Sequence, residues 1–260
     1  MALNKTQEQF VAEVRQSGDA VSLVLARFHK MPSLFYRDRQ SREWLVAIDA
    51  TNKVASNEWY RILVEGLLAN SGWLKRGVIE MDALIELEEH TRAHGVGEFV
   101  IELLIAMVED CKDLTYRSEQ ITRDLIKAHF NGIQPITAHA LFILKRFFEP
   151  RRPAGAEDLE LLLWLTEETK GLDNEPGANR YLAKAIAEAL KGEDGVVRSV
   201  HWRLFSWLES RDEYSEAELL LADEMAKMAL AVPENLAQSE ATARTRLTAG
   251  SPTRAYSGAG

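Results

Sequence analysis

The sequence predicts an all-α protein, and three observations carry that reading. Apolar residues recur at three- and four-residue steps along most of the chain, as a buried helical stripe requires. Capping and breaking residues such as Gly18-Asp19, Ser56-Asn57 and Lys170-Gly171 stand between those runs. No run alternates apolar and polar residues for long enough to argue a sheet. The expected architecture is a set of helical hairpins packed as one multi-helix domain or as two related helical lobes.

In chain order, Asn4 can cap a first helix with the face Phe10, Val11 and Val14, and Asp19 opens a second that runs to Phe28. These N-terminal helices fill residues 1–32, where Met31-Pro32-Ser33 breaks the pattern. A first lobe follows over 33–149. Ser41 opens a helix carrying Trp44, Leu45 and Ile48; Ser56-Asn57 opens another carrying Trp59, Ile62, Leu63, Leu67 and Leu68, which Asn70-Ser71-Gly72 stops. The helical period then returns over 78–93, 98–108, 118–130 and 137–148.

Pro150-Arg151-Arg152-Pro153 reads as a joint to a second lobe over 154–232, whose clearest part is 158–190. Leu159, Leu162, Leu163, Trp164 and Leu165 are too dense for one strand face and predict a largely buried helix. Lys170-Gly171 ends it with a cation and a residue able to turn left-handed. Asp173-Asn174-Glu175-Pro176 then supplies side-chain acceptors for free amides and a proline suited to a first helical turn. Tyr181, Leu182, Ala185, Ile186, Ala189 and Leu190 form the next apolar face, with Arg180, Lys184 and Glu188 opposite. The pair is an αα-hairpin, and its turn, Asp173, Asn174, Glu175 and Pro176, is also a candidate interaction surface. Residues 233–260 change to Ala, Ser, Thr, Gly and Pro with scattered charge and read as a disordered tail.

Internal repetition fits two lobes: Leu63-Val64-Glu65-Gly66-Leu67 and Ile186-Ala187-Glu188-Ala189-Leu190 precede the like turns Gly77-Val78-Ile79 and Gly195-Val196-Val197. Chance likeness between amphipathic helices accounts for it equally well.

The run LDNEPGANRYLAKAIAEAL resembles a poorly characterised bacterial all-helical family, in which an Asp-Asn-acid-Pro turn is followed by Lys-Ala-Ile-Ala; here these are Asp173 to Pro176 and Lys184 to Ala187. Gly177-Ala178 stands where that family has a tryptophan soon after the proline. Asp194-Gly195-Val196-Val197 is similar to the acid-Gly-x-Ile/Val turn of tellurite-resistance B-type helical domains, although Arg76 replaces the acid at the parallel turn. The resemblances imply a helical fold, and the second implies an association with cations.

Composition bounds the function. The 260 residues carry a net charge of −9 with a pI near 5.3, which disfavours binding to a nucleic-acid backbone. One cysteine, Cys111, excludes an internal disulfide framework and a cysteine-cluster metal site. The first ten residues lack an apolar signal core, and the longest uncharged run, 131–144, is too short for a membrane span. A cytoplasmic protein is expected.

Three constellations bear chemistry. Glu86, His90 and His94 are four residues apart on one helical face, a set that suits a divalent metal such as zinc; Glu89 and Arg92 beside them favour an ordinary solvated surface. Asp110-Cys111-Lys112 sets an ammonium beside a thiol but surrounds it with acids, and His129 and His139 are not placed near it by sequence. Asp212, Glu213, Glu216, Glu218, Asp223 and Glu224 form an acidic run that is a solvated face or a docking surface for a basic partner. No phosphate-binding loop, dinucleotide fingerprint or zincin motif is present. The chain therefore reads as a non-enzymatic helical interaction or scaffold protein with a protein partner and no cofactor. The alternative is a metal-associated or stress-response helical domain, with the metal at Glu86, His90 and His94. An enzyme whose site is assembled from distant residues stays open.

Overall fold

The computed structural model describes residues 34–51, 57–112, 116–131, 134–151 and 155–190, with a few isolated positions besides. The expected helices of residues 1–32, the turn at Gly195, most of the acidic run from Asp212 and the tail at 233–260 lie outside the described residues. The described part is all-α apart from one two-residue ribbon. The chain divides into two compact units, Met1–Phe147 and Phe148–Gly260.

In the first unit, α1 (Leu34–Arg37) leads into α2 (Arg39–Asp49). The helix begins earlier than Ser41 because Asp38 is its cap, accepting from the Ser41 amide at 2.9 Å and the Ser41 hydroxyl at 2.7 Å. From Arg42 to Asp49 every residue is buried, so α2 is enclosed on all sides. Next, α3 (Asn57–Tyr60), a π-helical turn (Arg61–Glu65) and α4 (Gly66–Asn70) run on without a break. The Gly66 amide reaches back to the Arg61 carbonyl, five residues away. A Cβ at Gly66 would strike the buried ring of Tyr36, so only glycine lets these segments meet.

The sequence reading runs a helix through Val78, and the structure corrects it. β1 (Leu74–Lys75) and β2 (Val78–Ile79) pair antiparallel, with Leu74 opposite Ile79. Arg76 and Gly77 between them have φ of 55° and 79°, the two successive left-handed residues of a tight hairpin turn. That geometry cannot start a helix, so α5 begins at Met81 and runs to His94.

Helix α6 (Glu98–Glu109) is the centre of this unit. All ten residues from Phe99 to Val108 are buried, as α2, the π turn and α7 (Tyr116–Phe130) pack around it. Such burial explains why the helix is apolar apart from Glu102 between Phe99 and Val108. Helix α8 (Ala138–Phe148) starts at the cap Thr137, whose hydroxyl accepts from the Ala140 amide at 3.0 Å.

In the second unit, α9 (Ala156–Glu168) packs against α10 (Ala178–Ala189) as the expected hairpin, burying Leu161, Leu162 and Leu165 against Leu182 and Ile186. Its turn differs in detail from the sequence reading. Pro176 lies before α10 and not in its first turn, since the preceding residue of the helix is Gly177, left-handed at φ 92°. The α10 start receives no side-chain cap; the Ala178 amide donates to the Glu175 carbonyl at 2.9 Å. Asn174 instead serves the end of α9, donating to the Thr169 carbonyl at 2.9 Å and to Asn179 Oδ1 at 3.1 Å. Among the described residues no helix is long and apolar enough to cross a membrane.

Candidate functional site

The face carrying Glu86, His90 and His94 meets α2. Glu86 is buried and takes a two-pronged bond from Arg42, with Nε at 2.6 Å and a terminal nitrogen at 2.7 Å. His90 Nε2 lies 3.1 Å from the same carboxylate. His94 pairs elsewhere, at 3.1 Å from Glu43 of α2. Arg42 also donates to the Tyr36 carbonyl at 2.9 Å and lies over the ring of Trp73. Burial raises the Glu86 pKa, but the bonds from His90 and Arg42 outweigh it and hold the carboxyl at about 2. Glu86 and His90 are thus brought together and His94 is not; the expected solvated surface is a buried polar seam between α2 and α5. Among the described residues no group of three or more His, Cys, Asp or Glu is arranged to hold a metal ion.

A cleft of about 510 Å³ opens where the end of α2, the starts of α6 and α8, and His129 of α7 converge. Its walls include Asp49, Glu98, Phe99, His129, Gln134 and His139. Helix α6 begins at Gly97, which has no side chain to cap it; Asp49 of α2 does so from outside, its Oδ2 accepting the Val100 amide at 3.0 Å. Asp49 Oδ1 accepts from Trp59 Nε1 at 2.9 Å. A Cβ at Gly97 would collide with that carboxylate. Burial is the dominant influence on Asp49 and lifts its pKa to about 7, against the lowering effect of both hydrogen bonds.

His139 sits between two carboxylates of α6, one helical turn apart. Nδ1 is 2.9 Å from Glu98 and Nε2 is 2.9 Å from Glu102. Both ring nitrogens face acceptors, so both donate, and the ring is an imidazolium. Burial disfavours that charge, but the bonds to Glu102 and Glu98 outweigh it and raise the His139 pKa to about 9. Burial likewise raises Glu98, yet His139 and the Thr137 hydroxyl at 2.8 Å bring it below the usual carboxylate range. The chain of contacts continues from Glu102 to Arg146 at 2.9 Å, and Arg146 pairs with Glu109. Phe99 lies under His139, with ring centroids 4.6 Å apart.

His129 differs from these groups. Its Nδ1 is 2.8 Å from the Val96 carbonyl, which can only accept, so Nδ1 carries the proton. In the neutral ring Nε2 is therefore the lone-pair nitrogen, and it has no hydrogen-bond partner among the described residues. Cys111 is far from this cleft: it follows the other end of α6, roughly 18 Å along a twelve-residue helix. Of the acidic run, Asp223 and Glu224 are described and helical, and Lys227 pairs with Glu224 at 2.6 Å.

The sequence reading missed the cleft because its partners are far apart in the chain: 51 residues separate Asp49 from Val100 and 41 separate Glu98 from His139. One local signal was available. Gly95-Val96-Gly97 leads into a helix with no capping side chain of its own, so a cap must come from another segment. Comparison with protein-family models, curated proteins and solved structures finds no match to the chain.

Proposed function

We propose that this chain is a non-enzymatic helical interaction protein that docks a protein partner at the cleft between α2, α6, α7 and α8. One observation carries the reading: the carboxylates and hydroxyls that line the cleft are committed to partners within the protein. Glu98 accepts from both Thr137 and His139, and Asp49 is spent on capping α6. A hydrolytic or transfer site needs a nucleophile beside an available base. The two hydroxyls of the cleft are both committed, Thr51 to the Ile48 carbonyl and Thr137 to Glu98 and the Ala140 amide, so neither stands ready as a nucleophile for His129. What is left is a preformed, polar, acceptor-lined recess, which suits recognition. With one cysteine in 260 residues, the composition supports a cytoplasmic setting.

The test is affinity capture from the native host with the parent chain and with Ala138→Trp. Ala138 is exposed on the cleft wall, in the first turn of α8, where a larger side chain fills the recess without entering the core. Proteins captured by the parent and lost by the variant, at unchanged melting temperature, support the reading. Identical capture by both chains contradicts it.

A further inference from the structure

The cleft offers acceptors where a ligand would need donors. Each Glu98 oxygen takes one internal donor, Thr137 on one side and His139 on the other, and keeps a second lone-pair direction. In its neutral form His129 adds a lone pair at Nε2, the tautomer being set by the bond from Nδ1 to Val96, and that nitrogen has no partner among the described residues. The helix N-termini at the cleft, which would otherwise attract an anion, are already answered: Asp49 serves α6 and Thr137 serves α8. Along α6 and α8, three carboxylates, Glu98, Glu102 and Glu109, face two cations, His139 and Arg146. A metal ion is poorly served, because no group of three suitable ligands exists among the described residues. The remaining wall is apolar, with Val96, Phe99 and Ala138.

From these groups we infer that the cleft binds an organic cation, an alkylammonium or guanidinium, hydrogen-bonded to Glu98 and to His129 Nε2. The inference rests on the cleft being the recognition site. An ammonium has only donors and can use both acceptors. Its methylene stem matches the apolar wall of Val96 and Ala138. The volume of about 510 Å³ exceeds such a head group and leaves room for its stem and neighbours. The same chemistry is presented by a lysine or arginine side chain of a partner protein and by a free amine.

The experiment titrates the full-length, isotope-labelled chain with n-butylammonium, n-butylguanidinium, n-butanol and butyrate, following the amides of Gly97 and Glu98 and the ring nitrogens of His129. Saturable shifts with the two cations and none with the alcohol or the acid are expected. Glu98→Gln should weaken cation binding by about tenfold or more, as loss of a charge-assisted bond implies. His129→Phe should weaken it comparably while leaving the Glu98–His139 pair in place, so the test survives if the first variant does not fold. A blocked pentapeptide with one central lysine, set against 1,5-diaminopentane, separates the sources: tighter peptide binding indicates a protein side chain, and tighter diamine binding a free amine. Butanol or butyrate binding as well as the cations, or no cation shift at the cleft, would overturn the inference. If Ala138→Trp abolishes partner capture although no cation binds, the docking site stands and its assigned chemistry fails. If cations bind and capture by Ala138→Trp is unchanged, the chemistry stands and the docking reading fails.

Discussion

The carboxylate of Asp49, at the last turn of α2, accepts the backbone amide of Val100 in the first turn of α6 at 3.0 Å. It does for α6 what a capping side chain normally does from within the same helix. Two elements 51 residues apart are thereby fixed to each other at the floor of the cleft.

Removing that carboxylate takes away the acceptor of two buried donors, the Val100 amide and Trp59 Nε1. Asp49→Ala is expected to destabilise the first unit by about 2–5 kcal/mol, since each orphaned donor costs about 1–3 kcal/mol. Gly97→Ala attacks the same contact sterically: its φ of −91° suits any residue, but the new methyl group meets the Asp49 carboxylate. A loss of about 1–3 kcal/mol is expected. Urea unfolding measures both, and parent-like stability of Asp49→Ala would contradict the capping role.

Stability should depend on pH in a definite direction. Asp49 has a folded pKa of about 7, above its ordinary value, so its contribution is largest in acid and is lost as pH rises through about 7. His139, raised to about 9, contributes fully below its ordinary pKa and loses that contribution as pH rises through about 9. Glu86, held at about 2, has the opposite sign: its contribution is present above the ordinary carboxylate range and is lost as pH falls through about 2. The melting temperature should therefore be highest near about pH 4 and fall on both sides. Asp49→Asn should flatten the slope between about pH 4 and 7. A maximum near about pH 9 would contradict these assignments.

The fold class was legible in the sequence because helical periodicity and breakers are local signals, and α5, α6, α7 and α8 lie within about three residues of the expected spans. The departures have physical causes. The ribbon at Val78-Ile79 follows from two left-handed residues, and the π turn at Arg61–Glu65 admits Tyr36 against Gly66. Glu86 and His90 looked solvated beside Glu89 and Arg92, yet α2 covers them, and the covering partner Arg42 is 44 residues away. Asp49 stands in the apolar run Trp44 to Ala50, where a lone acid signals a buried partner without naming it.

The seam between α2 and α5 tests whether that partnership is energetically coupled. Glu86→Leu or Arg42→Met alone removes one side of the buried ion pair and should cost about 3–5 kcal/mol. Changing Arg42 to Met and Glu86 to Leu together should cost less than the sum, as charges and partners leave together. A strictly additive double mutant would show that the two side chains act independently.

At the α9–α10 turn the two expected caps should separate. Asn174→Ala removes bonds to Thr169 and Asn179 and should cost about 1 kcal/mol. Asp173 is exposed and holds no cap bond to α10, so Asp173→Ala should change stability by less than about 0.5 kcal/mol. Equal losses at both positions would restore a capping role for Asp173.

The docking site is tested most directly by mapping where a captured partner contacts the chain. Amide chemical shifts recorded with and without that partner should move most at Thr51, Val96 to Phe99, Gln134 and Thr137 to His139, around the cleft. The competing surface is the exposed apolar ridge of Val78, Met81 and Ile85 on β2 and α5. Shifts concentrated on that ridge, with the cleft amides unmoved, would contradict the cleft as the binding site.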